Sequence, residues 1–519
     1  MPYKQTNIKL SETGWFSKLF IDYLAGDDKL KPFYTYPPDA GSFAGAIEAR
    51  SKLAINREVL ADVISGQYKE RLNGNPGIEL TIKNIDLLRE KNTYTVCTGH
   101  QLCLFTGPLY FVFKIISTIN LAETLKKKYP EFNFVPVYWM ASEDHDFEEV
   151  RSVNLFGKTL RWEHPSPKGA VGRLNTGSLA GLLDELSAVL GDSANARELM
   201  QVFRNAYAGH DNLADATRYL VHSLFAEYGL VIIDPDDKRL KEEFSDIIKD
   251  DIQNNTNFRI VNETIKQLDV IGIKPQVNPR EINLFRLGND RTRIENSDAD
   301  KLSIPVEEYS PNVVLRPLYQ QMILPNLAYV GGPGELAYWL EFKAMFDHHN
   351  ILFPVLVPRN FAMLLDSKSD QQLQKMGFDA ADLFKDHEVL IKEYIGRHTE
   401  NELSLHEQEA KITGIYNEIA VKVIAVDQSL KGSVEAELQK TLHSLKNIEG
   451  KLLRAEKQKQ ETGINTVKKL KDRFFPGGNL QERYDNFSPL YLKHGKELIS
   501  GLKESFDPFK FEMLILEIN

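Results

Sequence analysis

The chain of 519 residues exceeds the roughly 250–300 at which one hydrophobic core stops growing, so more than one packing unit is expected. Hydrophobic residues make up 42% and charged residues 26%, a globular balance that excludes a disordered or membrane class. The formal charge of −10 argues against general nucleic-acid binding, and no stretch approaches the ~18 apolar residues of a membrane span. Met1 to Lys9 has no apolar signal core, so a cytoplasmic location is expected. Cys97 and Cys103, with no second pair, cannot build a disulfide framework or a four-cysteine zinc site. They read as buried thiols.

Residues 1–90 read as a helical flank, for example Leu53 to Arg71, closed by the loop Gly74-Asn75-Pro76-Gly77. Residues 91–378 carry short apolar runs at Tyr94–Cys97, Phe134–Met140, Leu230–Ile233, Leu327–Val330 and Ile351–Val357. Runs of this length separated by helical patterns predict buried parallel strands, an α/β Rossmann-like core. The intervals near 150–228 and 238–320 are too long for simple crossovers and read as inserted substructures. The second contains a hairpin signal at Phe285–Asp290. Over 379–475 the sequence turns charged, and Leu438, Leu445 and Leu452 recur every seven with Thr441, Ile448 and Ala455 between them. Ile412, Ile415, Ile419, Val426 and Leu430 make a second stripe. With Asp427, Ser429 and Gly432 supplying a break, an antiparallel coiled-coil hairpin is predicted. Residues 476–519 are apolar enough to pack back on the core.

Ligands of open α/β sheets bind beyond the carboxyl ends of the strands, where helix N-termini converge. Three groups fall there. Thr98-Gly99-His100-Gln101 and Thr106-Gly107-Pro108 precede a helical run whose N–H groups would suit an anion, with Tyr110 and Lys114 able to reach back; the alternative is a plain strand-to-helix turn. Glu143-Asp144-His145-Asp146 can hold magnesium, through Asp144 or Asp146, bind an ammonium, or deprotonate an amine, or else forms a solvated acidic cap. Gly331-Gly332-Pro333-Gly334-Glu335, followed by Tyr338, makes a second backbone cradle. It meets the dinucleotide spacing but lacks the acid ~20 residues on, so NAD is not expected. No His-Glu-x-x-His occurs, so zinc is not expected at the acidic turn. Arg316 and Gln320 read as an anion clamp or a structural pair. Arg454 and Lys457 read as solvated coiled-coil flanks or part of a nucleotide pocket.

Together these motifs, with Leu315-Arg316-Pro317, Ala328–Pro333, Leu430–Glu437, Leu453–Lys457, Leu480–Arg483 and Asn486, resemble the cysteine-adding enzymes of bacillithiol biosynthesis over nearly the whole chain. The resemblance implies a core similar to class I aminoacyl-tRNA synthetases, a C-terminal coiled coil and a homodimer. It implies a ligase that adds cysteine to glucosaminyl-malate in the last step of the pathway. Amide formation from a free carboxylate is uphill in water, so ATP with magnesium is the expected activating co-substrate, a cysteinyl-adenylate being the economical route. The chain departs from the family at His100, where glutamine is usual, and lacks the Lys-Met-Ser-Lys-Ser loop of the synthetases. Rival readings are a nucleotidyltransferase with another acceptor and a non-catalytic, metabolite-binding dimeric scaffold.

Overall fold

The computed structural model describes residues 3–69, 77–399 and 403–518; the predicted turn residues Gly74, Asn75 and Pro76 lie outside them. The five apolar runs form one parallel sheet: β1 Thr93–His100, β2 Asn133–Met140, β3 Val231–Ile233, β4 Asn326–Gly331 and β5 Val355–Pro358. Every residue of β1 and β4 is buried, as strands covered on both faces require. The order across the sheet is β5-β4-β1-β2-β3. Chain direction across the sheet therefore reverses between β1 and β4, the switch point at which the flanking loops part and leave a crevice.

Helix α1, Tyr110–Lys128, crosses between β1 and β2 and buries most of its length, with Lys126, Lys127 and Lys128 at the negative end of its dipole. The N-terminal segment is part of this core. Phe43, Ala46 and Ile47 of the helix Ser42–Ser51 pack with Tyr94, Val96, Leu121, Val330 and Val355. Strand Lys4–Lys9, unforeseen in a segment read as helical, joins Glu512–Ile518 and Phe361–Asp366 in a second sheet. The first insertion holds a small hairpin, Ser152–Leu155 with Lys158–Arg161, and three helices. The second holds helices α2 Ser245–Asn254 and α3 Thr256–Val270 and a three-stranded antiparallel sheet. Its predicted hairpin pairs Phe285 with Arg293 and Leu287 with Arg291. Three short helices follow: α4 Arg316–Ile323, α5 Pro333–Trp339 and α6 Lys343–His348.

Contacts divide the chain into two units, Met1–Leu364 with Asn479–Leu516 and Leu365–Gly478 with Glu517–Asn519. The second unit is helical. Its longest members, α7 His406–Val426 and α8 Lys431–Lys459, are antiparallel: Tyr416 meets Thr441 (3.0 Å) and Leu405 meets Glu449 (3.4 Å), pairs nearly equidistant from the bend. The bend falls at Asp427, whose carboxylate accepts from Ser429 N at 2.8 Å; Gly432, expected as part of the break, lies inside α8. The stripe is only half satisfied, since Ile415, Ile419 and Ile448 are 41–55% exposed. No helix among the described residues is long and apolar enough to cross a membrane.

Candidate active site

A cleft of about 720 Å³ opens at the carboxyl edge of the sheet, over the β1/β4 switch point. Gly99, His100 and Gln101 reach it from the end of β1, Glu143, Asp144 and His145 from the loop after β2, and Gly332, Gly334, Glu335 and Tyr338 from the turn after β4 and α5. Tyr110, Lys114 and Arg316 complete the predicted residues at its wall.

Other predicted residues hold the frame. Thr98 Oγ1 donates to Val330 O at 2.7 Å, tying β1 to β4, and Gly331 O accepts from Arg359 N at 3.0 Å. Asp146 caps the short helix Phe147–Val150 by accepting from Glu149 N at 3.1 Å, which turns its carboxylate to backbone. The expected anion site at the start of α1 is filled by protein. Leu109 N donates to Asp485 O at 2.8 Å, and Asn486 Nδ2 donates to the carbonyls of Phe105 (2.8 Å) and Gly107 (2.6 Å). Thr106 is buried in this seam and Pro108 half-buried, and neither lines the cleft. Gly107 is required there: its φ is 65°, and a Cβ would stand 2.6 Å from that of Cys103. Gln320 stands behind Arg316, accepting from its Nη1 at 3.1 Å. Arg454 and Lys457 belong to the helical unit, where Arg454 is exposed and Lys457 pairs with Glu388 at 3.0 Å; the residues lining the cleft all belong to the other unit.

Lys114 and Glu335, expected as separate ligand groups, are partners. The ammonium, 2% exposed, donates to both oxygens of Glu335 at 2.8 and 2.9 Å and to Gly99 O. Tyr329 Oη and Gly332 N add bonds of 2.7 and 2.9 Å to the same carboxylate. Burial alone would raise the carboxyl pKa, but Lys114 and these donors hold it at about 2. The pair sets the spacing of the β1 and β4 ends.

The acidic turn divides in the same way. Glu143 is buried, and burial raises its pKa against the pull of Lys241, which lies 2.7 Å away and also pairs with Asp236 at 2.8 Å. Asp144 accepts from Gln101 Nε2 (3.0 Å), His145 N (2.7 Å) and Asp146 N (3.4 Å), with Arg291 at 3.9 Å. Burial opposes ionisation, yet Gln101, Arg291 and the backbone donors keep its pKa low. This carboxylate is surrounded by donors and a cation, and Asp146 is a helix cap, so the pair does not fit a magnesium ion. His145 Nδ1 faces Arg291 Nη1 at 3.1 Å and therefore accepts, leaving the ring proton on Nε2.

His100 is buried beside Tyr110 and Phe111, and burial lowers its pKa to about 4. Its Nδ1 lies 2.8 Å from Gln101 O, which can only accept, so the Nε2 lone pair is the free one. Burial pushes both Cys97 and Cys103 up to about 12, so neither is a thiolate nucleophile near neutral pH.

Several further residues line the cleft that were not expected as site residues. Arg280, Arg291, Arg293, Arg359 and Arg483 add guanidinium groups to Arg316. Arg359 is fixed by Glu482 at 2.6 Å, both groups 1% exposed. Glu149 also lines the cleft; burial, with Asp144 and Asp146 nearby, raises its pKa against the hydrogen bond from Gln101. Arg316 Nη2 is a buried donor with no hydrogen-bond partner. A wall of this kind suits carboxylate or phosphate oxygens.

Two family models cover the chain: the N-terminal Rossmann-like domain of bacillithiol biosynthesis BshC matches residues 1–304 and 300–360, and its C-terminal coiled-coil domain matches 362–518. A Flavobacterium psychrophilum protein named "Putative cysteine ligase BshC" is 42% identical over 98% of this chain and 99% of its own length. Proteins of the same name from Flavobacterium johnsoniae and Salinibacter ruber are 41% and 33% identical, over 98% and 95% of this chain and 99% and 94% of their own. The fold, the order of its two domains and these relatives agree that the chain belongs to the BshC family of bacillithiol biosynthesis.

Proposed function

We propose that the switch-point cleft joins the carboxylate of cysteine to the amine of glucosaminyl-malate, forming an amide after ATP-dependent activation of the carboxylate. Family membership supplies the ligase class. The observation that carries the anionic substrates is the buried, unpartnered Nη2 of Arg316 in a cleft walled by further guanidinium groups. Burying a donor without an acceptor costs about 1–3 kcal/mol, a cost that a ligand oxygen at this position removes. Malate brings two carboxylates and the nucleotide a polyphosphate, and both classes of oxygen match bidentate arginine.

ATP, when bound, supplies a leaving group on the acyl carbon of cysteine. The residue suited to its phosphate oxygens is Arg316, beside the Gly99–His100 end of β1, where the His100 ring is neutral and adds no charge. No step is assigned to magnesium, because Asp144 and Asp146 do not fit it. The amine must lose a proton as the carbon–nitrogen bond forms. Glu149 is the best placed acceptor, a cleft carboxylate whose raised pKa makes it a stronger base than Asp144. Asp144 instead orients Gln101 and His145.

Purified protein given ATP, cysteine and glucosaminyl-malate should form bacillithiol, with AMP and pyrophosphate appearing in step. ADP and phosphate would replace the adenylate route by an acyl phosphate, and absence of product would overturn the ligase reading. Pyrophosphate exchange without cysteine would point to nucleotidyl transfer. The same reading takes exposed Ile415, Ile419 and Ile448 as the face on which two copies meet; light scattering of the full chain should give a dimer.

A further inference from the structure

At the opposite edge of the sheet, where α6 turns into β5, two histidines and an aspartate converge. Asn350, at φ 53°, carries the left-handed residue that ends α6. Its N–H donates to Asp347 O (3.1 Å) and that of Ile351 to Phe346 O (2.9 Å), which closes the last turn and fixes the backbone of His348 and His349. Asp250 lies one turn before the end of α2. Its Oδ1 accepts from Asn254 Nδ2 at 2.8 Å and Thr256 Oγ1 at 3.1 Å, while its Oδ2 is buried without a hydrogen-bond partner. One ring nitrogen of each histidine and a carboxylate oxygen of Asp250 lie within 4.8 Å of one another.

We propose that Asp250, His348 and His349 form a metal site for a divalent cation of the zinc class, pinning the corner between α2 and α3 to the end of α6. Two imidazoles and one carboxylate are the donor set of zinc, cobalt or nickel; calcium and magnesium take oxygen ligands. Ligands of a tetrahedral ion stand about 3.3 Å apart, against the 4.8 Å within which these three ligand atoms already lie. His348 is exposed and has the room to rotate. His349 is already oriented. Its Nε2 lies 2.9 Å from Asn257 Oδ1, and the Asn257 amide nitrogen is committed to Asp251 at 3.1 Å. The ring proton is therefore on Nε2 and the lone pair on Nδ1, the outer hydrogen bond that metal-binding histidines use to fix their tautomer. The carbonyl end of α6 adds negative potential that favours a cation. Nothing in this site touches the cleft chemistry, and its role is to hold the second insertion against the sheet.

The test uses the full chain with Co2+, followed by the visible bands of a four-coordinate ion, and with Zn2+ in competition with a chromophoric chelator. One equivalent should bind, without the sulfur-to-cobalt charge-transfer bands that Cys97 or Cys103 would give. His348→Gln, at an exposed position that does not threaten folding, should weaken binding at least about 100-fold, beyond the loss caused by removing a mere outer-shell partner. Asp250→Asn should do the same, and Asp144→Asn in the cleft should leave binding unchanged. No stoichiometric binding by the wild type, undiminished binding by His348→Gln, or loss confined to Asp144→Asn would each overturn the proposal and leave the trio an ordinary ion pair.

Discussion

Replacing Glu335 by glutamine tests the reading that its carboxylate is structural. In the native chain its pKa stands at about 2 against an ordinary 4.5, which at ~1.4 kcal/mol per unit corresponds to about 3 kcal/mol favouring the ionised, paired form. Breaking a buried pair by removing one partner costs a similar ~3–5 kcal/mol, because the other charge is left stranded; Lys114 is 2% exposed and would be that charge. The four tryptophans, Trp15, Trp139, Trp162 and Trp339, all belong to the α/β unit, so urea unfolding followed by their fluorescence reports that unit alone. Glu335→Gln should lower its stability by about 3 kcal/mol at pH 7, and Lys114→Met in the same background should restore much of it. The pH dependence has a definite sign. Glu335 is depressed, so its contribution is complete above pH 4.5 and lost as the pH falls from there toward 2. In the variant, the stranded lysine is depressed further than the downward shift burial already gives it, so destabilisation should shrink as the pH rises toward the ordinary lysine value of 10.5. A cost below about 1 kcal/mol, or no rescue by the double substitution, would refute the pairing argument.

Arg316→Lys keeps the charge but loses the fork, and should raise the KM of an anionic substrate roughly 10–100-fold, about 1.4–2.8 kcal/mol, with unfolding unchanged; an unaltered KM would remove Arg316 from the binding wall. Glu149→Gln should lower kcat by about 10²–10⁴-fold. Since the Glu149 pKa is raised, the wild-type rate should fall as the pH drops through that raised value, and the limb should vanish in the variant; a persisting acid limb would exclude Glu149 as the proton acceptor. Cys97 and Cys103, with pKa values of about 12, should resist iodoacetamide at pH 8 until the chain is unfolded; rapid native labelling would contradict their burial.

The five sheet strands were legible because burial on both faces writes each as a continuous apolar run, and the acidic turn after β2 was legible because charge stops such a run abruptly. Sheet order is a matter of long-range pairing, and the β1/β4 switch point appears only when Thr98 is seen bonded to Val330 O, 232 residues on. The same limit explains the site. Lys114 and Glu335, 221 residues apart, read as two ligand groups because each sits near a helix start; in space they neutralise one another. The turn at Gly107 read as an anion site because nothing local shows that Asp485 and Asn486 close over it. Lys241 and Arg291, which set the ionisation of Glu143 and orient His145, stand in an insertion whose one local signal, the hairpin at Phe285–Asp290, says nothing of what their side chains meet. Pattern therefore marks where a chain delivers polar groups to an edge. Which of them remain available to a substrate depends on partners from distant segments, and an unpaired donor such as Arg316 Nη2 is distinguished by a missing neighbour that no spacing rule encodes.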